Sequence, residues 1–320
     1  MTESDMPEKT FDQKVSIIIP VYNREMTLPR LFASLLNITY RPLEIVLVDN
    51  HSHDRSWDLC QDFLKEQQED FTLVLGSESH PGACAARNKG IALATGDYLY
   101  FFDSDDEISS SFLSDLMPYF PQYDVICAPT MMRFPNGSTR KRDCVPTAYP
   151  HDHILSASLS TQSFIIKKSF LENIGNWEEN IRRWNDWELG VRILCHRPRL
   201  KWLPEKAYHT IYQHAESISG HSFTQDYPLL LDSLKKAETD ITTGSLSPKL
   251  QQKALHALIG KHLLLAAQLY REGQPELAQQ TYHLALSKTK NRRFKAEAAI
   301  VYFLGQHKVP GLWRLLRYII

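Results

Sequence analysis

The sequence predicts an α/β fold: a parallel sheet with helices on both faces, followed by a C-terminal helical segment. Three observations predict it. Between Val15 and Phe102, short apolar runs rich in β-branched residues alternate with segments of helical spacing. Polar residues stand directly after several of those runs. Past about Gln225 the pattern changes and becomes helical. Alternation of this kind implies right-handed βαβ units whose sheet is covered on both faces.

In order, residues 1–14 are polar and read as a disordered tail. Val15–Ile19 is a β-branched run that stops at Pro20, which reads as a buried strand. Leu28, Leu31, Leu35 and Leu36 follow at helical spacing. Leu43–Val48 is a second strand ending at Asp49. Ser56–Gln67 is an amphipathic helix with Trp57, Leu59, Phe63 and Leu64 as its expected inner face. Phe71–Leu75 is a third strand, Ala83–Ala94 an Ala-rich helix, and Tyr98–Phe102 a fourth strand that runs into Asp103-Ser104-Asp105-Asp106. Further on, Tyr123–Ala128 and Gln162–Lys167 read as strands, Pro135-Asn136-Gly137 as a turn, Asp186–His196 as a helix and Leu200–Leu203 as a short strand. The rest of Pro129–Ser160 could be a substrate loop.

Ser247-Pro248 starts a helix, with Ser as cap and Pro at the first position, and Gly273 stops it. Pro275 opens another, to about Lys288. Leu269, Tyr270, Gly273, Ala278, Tyr282 and Ala285 resemble half of a tetratricopeptide-like unit, but an array needs several copies, so a simple helical hairpin is preferred. The chain ends in Trp313–Ile320, where apolar residues alternate with Arg. A terminal helix docked on its own domain is the preferred reading, and peripheral membrane contact is the alternative.

Composition narrows the function classes. Of 320 residues, 43% are hydrophobic and 23% charged, as in an ordinary globular chain. The formal net charge of -1 gives no global attraction to nucleic acid, so an anionic ligand must be held by local groups. Cys60, Cys84, Cys127, Cys144 and Cys195 form no C-x-x-C pair, which argues against a zinc cluster or a disulfide framework and fits a reducing compartment. There is no signal-peptide core and no run of about 18 apolar residues, so the expected location is cytoplasmic.

In parallel sheets the ligand crevice lies beyond the carboxyl ends of the strands. Asn23 and Arg24, then Asp49 and Asn50, then Asp103 and Asp105 stand at those ends. In extended chain, residues two apart share a side, so Asp103 and Asp105 can converge while Ser104 faces away. Two such carboxylates repel unless a cation lies between them. Mg2+ or Mn2+ suits these oxygen donors and often shares them with a substrate's phosphates. The alternative is an acidic loop capping a helix that starts near Ser109. No G-x-G-x-x-G follows the first strand, which disfavours a dinucleotide enzyme.

Several ordered motifs resemble the family 2 glycosyltransferases of the GT-A fold. They are Val15-Ser16-Ile17-Ile18-Ile19-Pro20-Val21-Tyr22-Asn23, Glu44–Asp49, Pro81-Gly82, Ala86-Arg87-Asn88-Lys89-Gly90-Ile91, Ala94-Thr95-Gly96-Asp97-Tyr98 and the acidic cluster. Ile174-Gly175-Asn176-Trp177, Asp186-Trp187-Glu188-Leu189 with Arg192, and His214 with Ser217-Ile218-Ser219 continue the match to about residue 220. The resemblance implies a GT-A-like, Rossmann-type, mixed but mostly parallel sheet with helices on both faces in a catalytic domain over 15–224, and leaves the helical region 225–320 outside it.

The resemblance also implies roles. Asp103 and Asp105 would bridge Mn2+ or Mg2+ to the donor's ribose and diphosphate, with Ser104 between them and Asp105 the closer ligand. Pro20, Val21, Tyr22 and Asn23 would shape the base pocket, and Asp49 would accept a hydrogen bond from the base, as suits the N3–H of uracil. Arg87 would meet phosphate, or else form a surface salt bridge. Gly82 would allow close backbone approach, or merely a turn. Asp186 would be the catalytic base, with a helix cap as its blander role and Glu188 as an alternative base. His214 would reach metal or diphosphate, and His209, five residues earlier, competes for that assignment. The chain departs from the family where Asn185 replaces a frequent acidic residue before Asp186, and where Asn50 replaces a frequent second Asp. The implied reaction is inverting transfer from a nucleotide-sugar, foremost a UDP-sugar, to a glycan or lipid-linked saccharide. A metal-dependent nucleotidyltransferase and a catalytically inactive donor-fold protein with a partner-binding helical region are the rivals.

Overall fold

The computed structural model describes residues 13–66, 71–142, 149–213, 222–307 and 309. His214, Ser217-Ile218-Ser219, Cys144 and Trp313–Ile320 lie outside them, as does most of the expected N-terminal tail. The first half alternates as expected: β1 (Val15–Val21), α1 (Leu28–Leu36), β2 (Leu43–Asp49), α2 (Ser56–Glu66), β3 (Thr72–Ser77), α3 (Ala83–Leu93) and β4 (Tyr98–Phe101). There follow α4 (Phe112–Leu116), β5 (Val125–Cys127), the hairpin β6 (Thr130–Arg133) and β7 (Thr139–Arg142), α5 (Pro150–Ser156), β8 (Phe164–Lys167), α6 (Lys168–Ile174), α7 (Asn185–Cys195), β9 (Leu200–Trp202) and β10 (Tyr208–Tyr212).

Seven strands form one sheet in the order β3-β2-β1-β4-β8-β5-β9, in which β8 runs against its two neighbours and the other pairs are parallel. The sheet is mixed and mostly parallel, as predicted. β1 carries side chains to both faces: Ile17 and Ile19 join a core with α1, α2 and α4, and Ile18 joins another with α3, α6 and α7. Burial on both faces explains the unbroken apolar run. β1 continues past Pro20 to Val21, because β4 pairs only with Val15–Ile18, so Pro20 has a strand on one side alone. On α2 the buried residues are Ser56, Cys60 and Phe63, while Trp57 and Leu64 are only half-buried. The inner face was therefore expected about one position off, since small Ser56 and Cys60 carry no strong apolar signal. A second sheet, β10-β6-β7, is built on the hairpin whose turn holds Pro135-Asn136-Gly137.

The end of the sheet away from the site explains one motif. Ser16 Oγ donates to Glu44 Oε2 at 2.5 Å, Thr95 donates to Glu44 through both its backbone N and Oγ1, and Gly96 N donates to Ser16 Oγ at 2.9 Å. Lys14 Nζ reaches Glu44 at 3.0 Å. Glu44, Thr95 and Gly96 thus clamp the amino ends of β1, β2 and β4. A Cβ at Gly96 would lie 2.6 Å from Ser16 Oγ, 2.7 Å from Ser16 N and 2.9 Å from Lys14 O. Gly96→Ala is expected to cost about 1–3 kcal/mol in urea unfolding, since the backbone itself must shift.

Glu44 also sets an acid dependence. Burial alone would raise its pKa, but the hydrogen bonds from Ser16, Thr95 and Lys14 outweigh burial and hold it below the usual carboxylate range. A depressed folded pKa gives a stability contribution that is complete above the unfolded value and is lost as pH falls through the folded one. Glu44→Gln should flatten that acid limb of stability, measured by thermal melts across the carboxylate range; an unchanged limb would remove Glu44 from it.

Among the described residues the C-terminal region holds four helices, where two were expected apart from the terminal one at Trp313–Ile320: α8 (Tyr227–Thr243), α9 (Pro248–Arg271), α10 (Pro275–Ser287) and α11 (Arg292–Gln306). α8 was not read from the sequence, although Leu230, Leu234, Ala237 and Ile241 stand at helical spacing, and all four are buried. α11 buries Phe294, Ala298, Val301 and Gly305, a stripe of mostly small residues that hides in sequence. These helices share a core with Trp187, Val191 and Cys195 of α7 and with Ile154 and Leu155 of α5, so they pack directly behind the α7 segment. No helix of the described residues is long and apolar enough to cross a membrane.

Candidate functional site

The strand order reverses at β1, which lies between β2 and β4, so the carboxyl ends of these strands open on one crevice. β4 delivers the acidic cluster there. Asp103 Oδ1 accepts from Arg87 Nη2 at 2.8 Å, and its Oδ2 accepts from Gln162 Nε2 at 2.9 Å. Gln162 also donates to Asp106 Oδ2 at 2.6 Å, while Asp106 Oδ1 accepts from Tyr212 N at 2.8 Å. Asp106 is buried, and burial, with Asp105 and Asp103 adding to it, pushes its carboxyl up to about 9. The cluster therefore divides. Asp106 is an internal support, while Asp103 and Asp105 retain partial exposure.

Ser104 is buried, and its carbonyl accepts from Thr27 Oγ1 at 3.0 Å. Arg30 donates to the Asp105 carbonyl and lies 3.7 Å over the Tyr212 ring. The cluster does not cap a helix near Ser109: α4 begins at Phe112, and its cap, Ser111, makes no side-chain capping bond.

Burial raises the Asp103 pKa, Arg87 opposes it, and the charge of Asp105 raises it further. Arg24 Nη2 stands 3.3 Å from Asp105 Oδ2. Paired, mutually repelling carboxylates are the hard oxygen donors that Mg2+ or Mn2+ takes, commonly as one or two carboxylates completed by substrate phosphates. The donor set fits such an ion. Among the described residues no group of three His, Cys, Asp or Glu could hold one unaided.

At the end of β2, Asp49 Oδ2 accepts from Ser52 N at 3.1 Å, and its Oδ1 is buried with no hydrogen-bond partner among the described residues. A buried carboxylate oxygen left unpaired is costly, and a ligand N–H would relieve it. Tyr22 is exposed and Pro20 half-buried beside it, but the Val21 side chain belongs to the core and its carbonyl accepts from Asn50 N at 2.7 Å. The expectation that Val21 lines a base pocket is therefore corrected to a support role. Asn23, at φ +50°, accepts from His53 N at 2.8 Å and joins the loops after β1 and β2. Asn50 donates to the carbonyls of Glu78 and His80, each at 2.8 Å, and accepts from Gly82 N. An aspartate could not donate those two bonds, which is the local reason for the departure at this position. Gly82 has φ +128°, so its turn requires glycine, and no atom lies within 4 Å of where its Cβ would be.

Arg87 on α3 is not on the surface. Its side chain is buried, lies 4.4 Å over the Trp177 ring, and keeps Nε and Nη1 without hydrogen-bond partners among the described residues. The surface salt bridge expected as the alternative is excluded; Arg87 is a buried brace of Asp103.

Asp186 lies in the first turn of α7, half-buried, with Oδ1 accepting from Trp187 N at 2.8 Å. Its charge bears on Asp103 across the crevice. Glu188 is removed as a base: it is 1% exposed and paired with Arg192 at 2.9 Å. His209 is likewise removed. It is buried, with Nε2 2.8 Å from Tyr100 Oη, and burial pushes its pKa down to about 3.

Sequence reasoning missed three contributors. Gln162, placed in a strand, precedes β8 and bridges Asp103 and Asp106. Arg30 carries no motif. Lys261 arrives from α9, with Nζ 4.4 Å over the Trp184 ring and 5.3 Å over Trp187, beside Asp186. Trp184 itself is held at φ +53°, uncommon for so bulky a side chain. Of the three, only Gln162 had a sequence signal, a polar residue two positions before the apolar run Phe164-Ile165-Ile166.

The glycosyl transferase family 2 profile matches residues 16–175, half of the chain. The minor teichoic acid biosynthesis protein GgaB of Bacillus subtilis is 29% identical over an alignment of 222 residues that covers 64% of this chain and 23% of that protein. The chain thus spans about a quarter of that relative. Among solved structures, S. aureus TarS 1-349 in complex with UDP-GlcNAc has a TM-score of 0.71 at 19% identity, covering 96% of this chain and 91% of that one. The mannosyltransferase PcManGT of Pyrobaculum calidifontis, in complex with GDP-Man and Mn2+, has a TM-score of 0.58 at 18% identity, covering 97% and 86%.

Proposed function

The chain belongs to glycosyl transferase family 2, and from that premise we propose that it moves a hexosyl or N-acetylhexosaminyl group from a UDP-sugar to a glycan or lipid-linked saccharide, with inversion and with the aid of Mn2+ or Mg2+. One observation carries the reading: Asp49, Asp103 and Asp105 stand at the ends of the two strands that flank β1 in one sheet, and Asp186 lies close enough for its charge to bear on Asp103. The unpaired Oδ1 of Asp49 suits the N3–H of uracil. TarS and PcManGT, which share the fold, were solved with UDP-GlcNAc and with GDP-Man and Mn2+. A guanine also presents N–H donors, so Asp49 suits either base, and the choice of uridine rests on likeness to TarS, solved with UDP-GlcNAc.

Asp103 and Asp105 would hold the ion and, with it, the diphosphate end of the donor, and Arg87 keeps Asp103 in place. The chemistry that Mn2+ or Mg2+ would supply there is neutralisation of charge on the departing diphosphate. Asp186 accepts the proton of the acceptor hydroxyl as its oxygen bonds to the anomeric carbon. The bond from that carbon to the diphosphate breaks in the same displacement, so the configuration inverts and nucleoside diphosphate leaves.

Incubation with Mn2+ and a panel of UDP- and GDP-sugars tests this by product identity. Release of free nucleoside diphosphate is the expected result. Release of pyrophosphate would assign a nucleotidyltransferase, and absence of any Mn2+-dependent thermal shift with nucleotide would assign an inactive donor-fold protein.

A further inference from the structure

We propose that the outward face of α11, together with the basic turn before it, seats this protein on an anionic lipid surface. Charge is segregated along the chain. From Leu277 to Ile320 there are eight Lys or Arg and one carboxylate, Glu297, although the whole chain has a net charge of -1. The C-terminal end is therefore strongly basic and the remainder acidic.

The structure places part of this charge beside exposed apolar side chains. α11 turns Phe294, Ala298 and Val301 inward. A helix docked by one face ordinarily shows a polar face to water. Here the opposite face carries Arg292, Ala296, Ala299, Ile300, Phe303 and His307 at helical spacing, with Ile300 57% and Phe303 59% exposed. Lys290, Arg292 and Arg293 are exposed at the start of this face. Lys288 in the same turn is tied to Glu238 at 2.5 Å, and Arg293 to Glu297 at 2.9 Å.

Cations flanking an aliphatic and aromatic stripe are what a helix lying in an anionic bilayer interface needs: apolar groups for the acyl boundary and ammonium or guanidinium groups for the headgroups. Two other occupants fit less well. Nucleic acid would use the cations but leave Ile300 and Phe303 without a role. A second copy in a two-fold contact would set this basic surface against itself.

The inference goes beyond the transfer reaction, and vesicle binding is read with neither donor nor acceptor present, so the two stand or fall separately. The full chain is sedimented with vesicles of phosphatidylcholine alone and of phosphatidylcholine mixed with phosphatidylglycerol. Binding is expected only to the mixed vesicles and should weaken as salt is raised. The Ile300→Ser, Phe303→Ser pair and the Arg292→Glu, Arg293→Glu pair should each weaken it at least about tenfold, with thermal melts unchanged because these side chains face water. Equal binding to both vesicle types overturns the proposal, as does unchanged partition of both paired variants. A concentration-dependent dimer that Phe303→Ser breaks, with no vesicle binding by the parent chain, also overturns it.

Discussion

Asp105→Ala is expected to lower kcat/KM for the nucleotide-sugar by at least about 10³-fold, the scale associated with removing a principal stabiliser of developing charge. Asp105 is one of the two partly exposed carboxylates of the cluster, and Arg24 is its neighbour at 3.3 Å. Its removal leaves Asp103, already held by Arg87 and Gln162, as the remaining exposed carboxylate of the cluster. It also removes a like charge that raises the pKa of both Asp103 and Asp106, so the fold should melt no lower than the parent's. The measurements are donor turnover and the Mn2+-dependent thermal shift with UDP, read beside the melt without ligand. Near-normal turnover would take Asp105 out of the site.

The second large effect is at Asp186. Asp186→Asn should lower turnover by about 10²–10⁴-fold, the usual contribution of a positioned base. The amide keeps an oxygen that can accept from Trp187 N, so the start of α7 is preserved. Donor affinity, read by UDP thermal shift, should be unchanged, which separates this variant from Asp105→Ala. Glu188 cannot substitute, since it is buried against Arg192. Turnover near that of the parent would refute the base assignment while leaving the donor end of the site intact.

Much of the fold was legible because its signals are local. The run Val15–Val21 reads as a covered strand from its own side chains, and the same holds for Leu43–Asp49 and Tyr98–Phe101. α11 was not legible, because Ala298 and Gly305 bury well but carry little apolar signal. At the site, strand-end positions pointed to Asp49, Asp103 and Asp105, since a strand's end is marked in its own sequence. The inward position of Val21 follows from the alternation along β1, and the role of Asn50 from carbonyls of Glu78 and His80 some 28 and 30 residues away.

The sequence by itself determined that an acidic cluster follows the fourth strand of an α/β sheet, because hydrophobic periodicity and chain adjacency are properties of neighbouring residues. Only the tertiary structure decided which carboxylates remain available. Asp106 is withdrawn by Gln162 and Tyr212, Glu188 by Arg192, and Lys261 is brought beside Asp186 from a helix about 75 residues further on. The physical reason is that a carboxylate's role depends on its burial and its through-space partners, and neither is encoded in the residues next to it.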